Sequence, residues 1–427
     1  MNSTNESSDR KIKICVVGLG YVGLPLAVKF AGHFEVVGFD IDKKRIEELK
    51  NNYDRNLQIN KKELEKVSKN IEFTDREDKI GEANIIIVTV PTPLTNDKKP
   101  DLSFLKKASK IVGRNLKKGS IVVYESTTYP GCTEEVCLPI LEKESGLKLG
   151  EFSVGYSPER ISPGDKEHTL ENTYKIVAGY DEKTTKRLSE IYEKITNVYV
   201  VDSIKIAEAA KVVENTQRCL NIALFNELAM IFDKLKIDSK KVFDAAATKW
   251  NFHRYYPGFV GGHCISVDPY YLLEKANEYG YLSKFIKYGI AANEKIPFFV
   301  ANKIIELLKD KNKAPEKCKV LILGAAYKEN VPDLRESKVK NLVEKLKSFG
   351  IDKINIFEPL IEKEYLFGVK NIKKLEKYDV VVYAVDHKEF KDIDICNLLE
   401  REGIIVDIRR RFNKQEIENR GFTYWGL

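Results

Sequence analysis

The chain has 427 residues, 43% of them hydrophobic, and its 71 lysines and arginines outnumber its 64 acidic residues, which gives a net charge of +7. This length and apolar fraction exclude a disordered chain and predict two or three packed domains. Both charge signs are spread along the sequence without a basic block, so nucleic-acid binding is not indicated. No apolar run approaches the roughly 20 residues of a membrane helix, and the N-terminus has no apolar signal core, so we expect a cytoplasmic protein.

The first part of the chain alternates short apolar runs with helical patterns. Residues 11–20 (KIKICVVGLG) form a β-branched run that ends in glycines, which predicts a strand entering a tight turn. Helices are predicted over 24–31 and 43–50. Further strands are predicted over 34–40, 83–90, 121–125, 152–155 and 175–178. Strands that alternate with helices predict a parallel, doubly wound sheet.

A long helix is predicted in the middle of the chain. Residues 203–236 contain no glycine or proline, and their apolar residues recur at helical spacing. With Asp202 or Ser203 as its cap, this stretch predicts a helix of about 30 residues, about 45–50 Å long. A helix of this length either bridges two domains or packs a dimer. More helices are expected to about residue 311.

Strand signals return after Pro315 and predict a second doubly wound sheet. The expected strands are 319–324, 353–357, 380–385 and 404–408. The predicted fold is therefore α/β, with two Rossmann-like parallel-sheet domains joined by a central helical domain. The expected domains are 11–202, 203–312 and 313–427.

The first strand leads into a dinucleotide-binding fingerprint. Residues 18–23 (GLGYVG) match G-x-G-x-x-G between a predicted strand and a predicted helix, which is the context that the motif requires. The glycines allow a tight turn, and a pyrophosphate binds at the helix N-terminus. Asp40 ends the second strand, where a carboxylate binds ribose hydroxyls and repels a 2′-phosphate, so NAD is favoured over NADP. The alternative is a glycine cluster that only packs a helix. The equivalent turn of the second sheet, 324–327 (GAAY), lacks the second and third glycines and predicts another binding mode or a structural role.

One of the seven cysteines lies in a glycine loop. Cys264 belongs to 261–269 (GGHCISVDP), whereas Cys15 and Cys396 lie within apolar runs that are typical of inert core thiols. The cysteines show no ligand spacing, so no metal is expected. His263 is a possible base, but adjacent side chains usually point apart, so substrate contact or loop packing remain alternatives.

A cysteine in an NAD-dependent enzyme suggests oxidation of an alcohol to an acid. A thiolate traps the aldehyde as a thiohemiacetal, a second hydride transfer gives a thioester, and water releases the acid. This chemistry needs an oxyanion-stabilising group and a carboxylate that activates water. Lys211 and Asn215, at i and i+4 of the long helix, face one side and are candidates for the first role. Glu159, after the predicted strand at 152–155, is a candidate for the second, although a surface position is the alternative.

The chain from about residue 11 to its end resembles the UDP-glucose/GDP-mannose 6-dehydrogenase family, and within it the UDP-N-acetylhexosamine branch of capsule and O-antigen synthesis. The segments that carry the resemblance are VVGLGYVGLPLA (16–27), VTVPTPL (88–94), YESTTYPGCTEE (124–135), GYSPERISPGD (155–165), AEAAKVVENTQRCLNIALFNELA (207–229), KWNFHRYYPGFVGGHCISVDPYYL (249–272) and KENVPDLRES (328–337). The resemblance implies a first domain that binds NAD, a central domain that forms a homodimer through the long helix, and a third domain that binds a UDP-sugar.

The resemblance also implies catalytic roles. Cys264 resembles the covalent nucleophile, and Lys211 and Asn215 resemble the oxyanion-stabilising pair. Asp268 resembles the residue that supports the cysteine or the water, and Glu159 the carboxylate that activates water for thioester hydrolysis.

Binding residues follow from the same resemblance and from the glycine motif. Thr127 resembles a residue that holds a catalytic water. The expected cofactor contacts are Gly18, Gly20, Tyr21, Val22, Gly23, Asp40, Arg45, Thr92, Thr127 and Arg335. The expected substrate contacts are Glu159, Arg160, Lys211, Asn215, Arg254, Tyr256, Gly258, Lys328 and Arg409.

Two departures from the family pattern narrow the substrate. Pro163 stands where the UDP-glucose and GDP-mannose branches usually carry an acid, and Val267 stands where they carry a lysine. The GGHC sequence resembles the N-acetylhexosamine branch. We therefore expect four-electron oxidation of a UDP-N-acetylhexosamine, UDP-GlcNAc or an epimer, for polysaccharide or glycan synthesis. UDP-ManNAc or UDP-glucose as substrate, a two-electron alcohol dehydrogenase, and a non-catalytic NAD-sensing protein are the alternatives.

Overall fold

A computed structural model of the chain describes residues 12–160 and 172–427, so Pro163 lies outside the described residues. The chain forms two compact units. The first runs to Val213 and includes Tyr270–Lys275, and the second comprises Glu214–Pro269 and Ala276–Leu427. Over the described ranges, none of the helices combines the length and the apolar character that crossing a membrane requires.

The first unit contains an eight-stranded sheet in the order β3-β2-β1-β4-β5-β6-β7-β8. Its strands are β1 (Lys13–Val17), β2 (Glu35–Phe39), β3 (Ile71–Thr74), β4 (Ile85–Val88), β5 (Ile121–Tyr124), β6 (Ser153–Tyr156), β7 (Lys175–Gly179) and β8 (Val198–Val200). Every residue of β4 is buried, as expected of a central strand that is covered on both faces. The carboxyl ends of β1, β4 and β5 lie side by side, because these strands pair in parallel.

Polar side chains cap some of the helices of the first unit. These helices are α1 (Gly23–Ala31), α2 (Lys43–Lys50), α3 (Lys61–Val67), α4 (Ser103–Asn115), α5 (Leu138–Ser145) and α6 (Glu182–Tyr192). Asp42 accepts backbone hydrogen bonds at the start of α2, and Asn60 and Glu63 form a capping box on α3. The buried core lies between these helices and the sheet, and it includes Val16 and Phe30.

A 31-residue helix, α7 (Ile204–Lys234), confirms the long helix that the sequence predicts. The Ser203 hydroxyl accepts a hydrogen bond from the Ile206 amide, 3.3 Å away, so the serine caps its start. The helices that follow are α8 (Ser239–Ala246), α9 (Asp268–Glu278) and α10 (Lys284–Asp310).

The second unit contains a seven-stranded sheet in the order β11-β12-β10-β9-β13-β14-β15. Its strands are β9 (Lys319–Leu323), β10 (Lys353–Phe357), β11 (Tyr365–Leu366), β12 (Val369–Asn371), β13 (Tyr378–Tyr383), β14 (Leu399–Asp407) and β15 (Thr423–Gly426), and its helices are α11 (Val339–Ser348) and α12 (Lys414–Asn419). Hydrophobic clusters cover both faces of this sheet. The boundaries of the three expected domains stay a prediction.

The predicted fold class is confirmed, but neither sheet is wholly parallel. β6 pairs with β7 in antiparallel register, as does β11 with β12. Apolar patterning predicts that a segment is a buried strand, yet it carries no information on strand direction. That direction depends on how the connecting chain returns to the sheet.

Candidate active site

The glycine motif forms a tight turn between β1 and α1. Gly18 has a φ of +95°, a backbone conformation that glycine adopts without strain, and its amide donates to the Phe39 carbonyl at 2.8 Å. A Cβ atom at position 23 would lie 1.8 Å from the Gly18 carbonyl oxygen. Only glycine at 23 therefore lets α1 start directly against the turn.

Gly23→Ala should displace the start of α1 and weaken NAD binding, because the added methyl group overlaps backbone rather than a flexible side chain. We expect the dissociation constant for NAD to rise by about 100-fold, as for a lost interaction of about 3 kcal/mol. Fluorescence titration with NAD measures it. Gly32→Ala, at the other end of α1, is the control, since a Cβ at position 32 approaches no atom closer than 3.2 Å. Equal affinities of the two variants would contradict this account of the turn.

Asp40 and Arg45 both form hydrogen bonds with the backbone of this turn. The Asp40 carboxylate, directly after β2, accepts hydrogen bonds from the Leu19 amide at 2.8 Å and the Asp42 amide at 2.9 Å. Arg45 is buried, donates from Nε to the Leu19 carbonyl at 2.9 Å and pairs with Asp54 at 2.7 Å. The structure thus gives Arg45 a role in shaping the turn, while its contact with the cofactor stays a prediction.

The other predicted cofactor residues lie at strand ends. Tyr21 and Val22 are half-buried in the turn after β1, and Thr92 and Thr127 are half-buried beyond β4 and β5. Ligands of open α/β sheets bind outside the carboxyl ends of the strands, where these residues lie. Arg335 belongs to the second unit, where it is exposed and pairs with Asp333 at 2.6 Å.

A buried glutamate that the sequence analysis did not predict forms hydrogen bonds with the segment after Thr127. Glu208, on α7, accepts hydrogen bonds from the Thr128 hydroxyl at 3.2 Å, the Thr133 amide at 2.9 Å and hydroxyl at 2.7 Å, and the Gly131 amide. Burial raises the pKa of Glu208 to about 7, although these donors act in the opposite direction. The sequence signal that could have identified Glu208 is its position in an apolar helical run, three residues before Lys211.

The raised pKa of Glu208 predicts a stability that falls as pH rises. The folded-state pKa of about 7 exceeds the ordinary value of 4.5, so the stabilisation is complete below pH 4.5 and is lost as pH rises through 7. The loss amounts to about 3 kcal/mol. Glu208→Gln should lower the melting temperature at pH 5, because the amide NH₂ faces the Gly131 amide. The difference in melting temperature between wild type and Glu208→Gln should become smaller at pH 8. A difference that does not change with pH would contradict the prediction.

Glu159 lies at the carboxyl end of β6 and is held through its backbone and its side chain. The Lys211 ammonium donates to the Glu159 carbonyl at 2.6 Å. The buried Lys175 ammonium lies 3.8 Å from the Glu159 carboxylate and donates to the Pro158 carbonyl at 3.2 Å. The neighbouring Arg160 donates from its guanidinium to the Tyr174 carbonyl at 2.7 Å. The structure therefore brings together Glu159 and Lys211, which the sequence reading proposed separately.

Behind Glu159 lies a buried ion cluster that the sequence did not reveal. Lys175 pairs with Glu125 at 2.6 Å, and the Tyr192 hydroxyl donates to the same carboxylate. Burial raises the pKa of Glu125, against the attraction of Lys175. Lys175 therefore links this cluster to the Glu159 carboxylate, 3.8 Å from its ammonium group.

In the second unit, Cys264 lies at the end of the glycine loop and is half-buried. Its carbonyl accepts hydrogen bonds from the Val267 amide at 3.0 Å and the Asp268 amide at 2.8 Å. Asp268 starts α9, is buried, and accepts a hydrogen bond from the Asn215 side-chain amide. The structure thus joins three predicted catalytic residues, Asn215, Asp268 and Cys264, within one unit.

The predicted substrate residues before the cysteine differ in their surroundings. Tyr256 is exposed, with the Arg254 guanidinium 4.9 Å from the centre of its ring, and Arg254 also pairs with Asp244. Both backbone groups of Gly258 bond the Asn226 side chain, at 2.8 and 3.1 Å. Asn226 therefore fixes the backbone between Tyr256 and the cysteine loop.

Lys328 and Arg409 line one pocket at the carboxyl ends of β9 and β14. The GAAY turn beside it is already filled by the protein itself, because the amides of Ala325 and Ala326 donate to the Glu358 carboxylate at 2.8 and 3.0 Å. Glu358 is buried, and despite burial its pKa lies below the ordinary value because His387 and these amides donate to it. Glu358 therefore occupies the amides of this turn, and another nucleotide-binding mode for the second sheet stays a prediction.

The glycine turn and the acid after β2 are typical of a domain that binds a dinucleotide cofactor. Comparison with known families is more specific. Three models of the UDP-glucose/GDP-mannose dehydrogenase family match the chain: its NAD binding domain at 12–196, its central domain at 205–295 and its UDP binding domain at 321–414. The chain belongs to this family, which confirms the predicted family, the NAD cofactor and the dehydrogenase class.

Relatives extend over almost the whole chain. Protein CapL of Staphylococcus aureus is 47% identical over 95% of this chain and 97% of its own. The UDP-N-acetyl-D-glucosamine 6-dehydrogenase of Salmonella typhi is 46% identical over 93% and 96%. Among solved structures, a UDP-D-ManNAc dehydrogenase from Pyrococcus horikoshii superimposes with a TM-score of 0.88 at 31% identity, over 97% of this chain and 99% of that one.

Proposed function

We propose that the protein oxidises the C6 hydroxyl of a UDP-N-acetylhexosamine to the carboxylate, with Cys264 as covalent nucleophile. The proposal is carried by the hydrogen bonds that connect three residues: the Asp268 amide donates to the Cys264 carbonyl, and the Asp268 carboxylate accepts from the Asn215 amide. The chain that holds them is similar to a UDP-N-acetyl-D-glucosamine 6-dehydrogenase. UDP-GlcNAc is the favoured substrate, because identity is 46% to that relative and 31% to the UDP-D-ManNAc dehydrogenase. The uronate would serve polysaccharide or glycan synthesis.

Each residue has a task that its surroundings support. NAD, held at the glycine turn after β1, would supply the hydride acceptor for each of the two oxidations at C6. The Cys264 sulfur adds to the C6 aldehyde, and the resulting oxyanion needs donors, which the Lys211 ammonium and the Asn215 amide on α7 supply. Asp268 orients Asn215 by accepting its hydrogen bond. Glu159, beside the Lys175 cation, takes the proton of the water that cleaves the thioester.

The NADH yield per mole of sugar nucleotide tests this function. The purified protein receives NAD with UDP-GlcNAc, UDP-GalNAc, UDP-ManNAc or UDP-glucose in separate reactions. Two NADH per sugar from an N-acetylated substrate establish the four-electron reaction and identify the epimer. One NADH per sugar would instead indicate a two-electron alcohol dehydrogenase, and none from any substrate would exclude the proposed substrate class.

Glu159→Gln is expected to slow the release of product more than its formation on the enzyme. An amide cannot take a proton from water, so the thioester should accumulate while turnover falls by about 10²–10⁴-fold. Intact-protein mass spectrometry after mixing with substrate and NAD detects the added mass on Cys264. Glu151→Gln, at a half-buried position that pairs with Lys118, is the control. Wild-type turnover in Glu159→Gln would remove its assigned role.

We also propose that the protein is a homodimer. Large apolar side chains are exposed between the end of α9 and the first turns of α10. They are Tyr279, Tyr281, Leu282, Phe285 and Tyr288, each at least 69% exposed. Isolated proteins seldom leave such clusters in water, and a second copy would cover them. Analytical ultracentrifugation of the wild type and of Phe285→Glu tests this, and a wild-type monomer would overturn it.

A further inference from the structure

The side chains of His263 and Cys264 approach each other although the residues are adjacent. The His263 Nδ1 atom lies 3.3 Å from the Cys264 sulfur, within hydrogen-bond range. The loop turns sharply on both sides of the pair. Gly262 has a φ of +81°, and the Cys264 carbonyl accepts the amides that start α9. The backbone therefore bends so that the thiol comes close to the imidazole.

The imidazole also lies beside an aromatic ring. The Tyr327 ring lies 6.1 Å from the His263 ring, centre to centre, at an interplanar angle of 60°. The same tyrosine would lie 2.6 Å from a Cβ atom at position 262, so it packs directly on the glycine. The Tyr327 amide donates to the Asp333 carbonyl at 3.0 Å, which fixes its position. An imidazole positioned in this way needs little reorganisation to take a proton from the sulfur.

We propose that His263 is the general base that ionises Cys264, a catalytic residue additional to those of the proposed function, on which this inference rests. The His263 Nδ1 takes the proton as the S–H bond breaks, and the sulfur electron pair forms the C–S bond to the C6 aldehyde. The aldehyde oxygen becomes the oxyanion, and loss of a hydride from the same carbon to the oxidised cofactor then gives the thioester. When water cleaves the C–S bond of the thioester, the departing sulfur takes a proton back from the imidazolium.

The groups around the pair agree with this assignment. Among the described residues of the loop and α9, His263 contacts the Cys264 sulfur and the Tyr327 ring, and the Asp268 carboxylate bonds Asn215. The imidazole Nδ1 is a proton acceptor within hydrogen-bond range of the sulfur. A free thiol is only a few per cent ionised at pH 7, so a base in contact with it has a large effect on reactivity.

Alkylation of Cys264 tests the proposal without requiring turnover. Iodoacetamide is added to the enzyme without substrate at pH 6 to 9, and the rate at Cys264 is followed by peptide mass spectrometry. His263→Gln should alkylate about tenfold more slowly than wild type at pH 7, and the two rates should converge near pH 9, where the thiol ionises without help. The exposed His253 provides the control variant, His253→Gln, whose rate should match wild type.

Turnover and chemical rescue separate catalysis from loop packing. His263→Gln should lower kcat by about 10²–10⁴-fold, with KM for NAD and the UDP-sugar changed less than threefold. Added imidazole should restore part of the kcat of His263→Gly, which a packing role would not permit. Equal alkylation rates and equal kcat in His263→Gln and wild type would overturn the proposal. Failure of the covalent mechanism itself would be seen separately, as two NADH per sugar from Cys264→Ser.

Discussion

Cys264→Ser is expected to abolish formation of the uronate and to leave at most one NADH per sugar nucleotide. A serine hydroxyl ionises far less readily than a thiol and makes an ester where the mechanism needs a thioester. Loss of a covalent nucleophile lowers kcat by roughly 10⁴-fold or more. The change should leave the fold intact, because Cys264 is half-buried and its loop is held by backbone hydrogen bonds from Val267 and Asp268.

The measurement combines NADH absorbance with mass spectrometry of the sugar nucleotide. Cys318→Ser is a suitable control, because the Cys318 thiol donates to the Ala314 carbonyl at 3.2 Å and a hydroxyl makes the same bond. It should retain activity within about twofold, as conservative changes away from a site do. Two NADH and a uronate from Cys264→Ser would contradict the covalent mechanism.

The sequence predicted the features that local chemistry determines. The glycine turn is local, because Gly18 needs its left-handed φ and Gly23 needs the space of a missing Cβ. The bounds of α7 were predicted to within a few residues, because a long stretch without glycine or proline and a serine cap lie within one segment. Such signals need no knowledge of what packs against them.

Features that depend on distant partners were not predicted. Glu208 bonds the 128–133 segment from about 75 residues away, and Lys175 meets Glu125 from 50 residues away. In the sequence alone, nothing distinguishes these residues from ordinary charged surface residues. Glu358 reaches the turn after β9 because β10 ends beside β9. The sequence showed that this turn lacks glycines, but it did not show that the Glu358 carboxylate accepts the amide hydrogen bonds of the turn.

His263 shows where a general rule failed. Adjacent side chains usually point apart in regular structure, and on that ground the sequence argued against a pair with Cys264. The Gly262 backbone and the start of α9 produce a turn instead, which brings Nδ1 to 3.3 Å from the sulfur. The letters GGHC contain the glycine that permits this, but the contact depends on the fold of the whole loop.

Lys211→Ala is expected to lower kcat by about 10²–10³-fold, as loss of an oxyanion donor does. Lys211 is 8% exposed and holds the Glu159 carbonyl at 2.6 Å, so the same change also loosens the residue that is proposed to activate water. Both effects reduce kcat, but only loss of the cation is repaired by a small amine. Partial rescue by added methylamine is therefore the decisive readout.

The exposed Lys205 on the same helix supplies the control Lys205→Ala, which should turn over at the wild-type rate. A Lys211→Ala variant within threefold of wild type would show that neither the oxyanion nor Glu159 depends on this ammonium group.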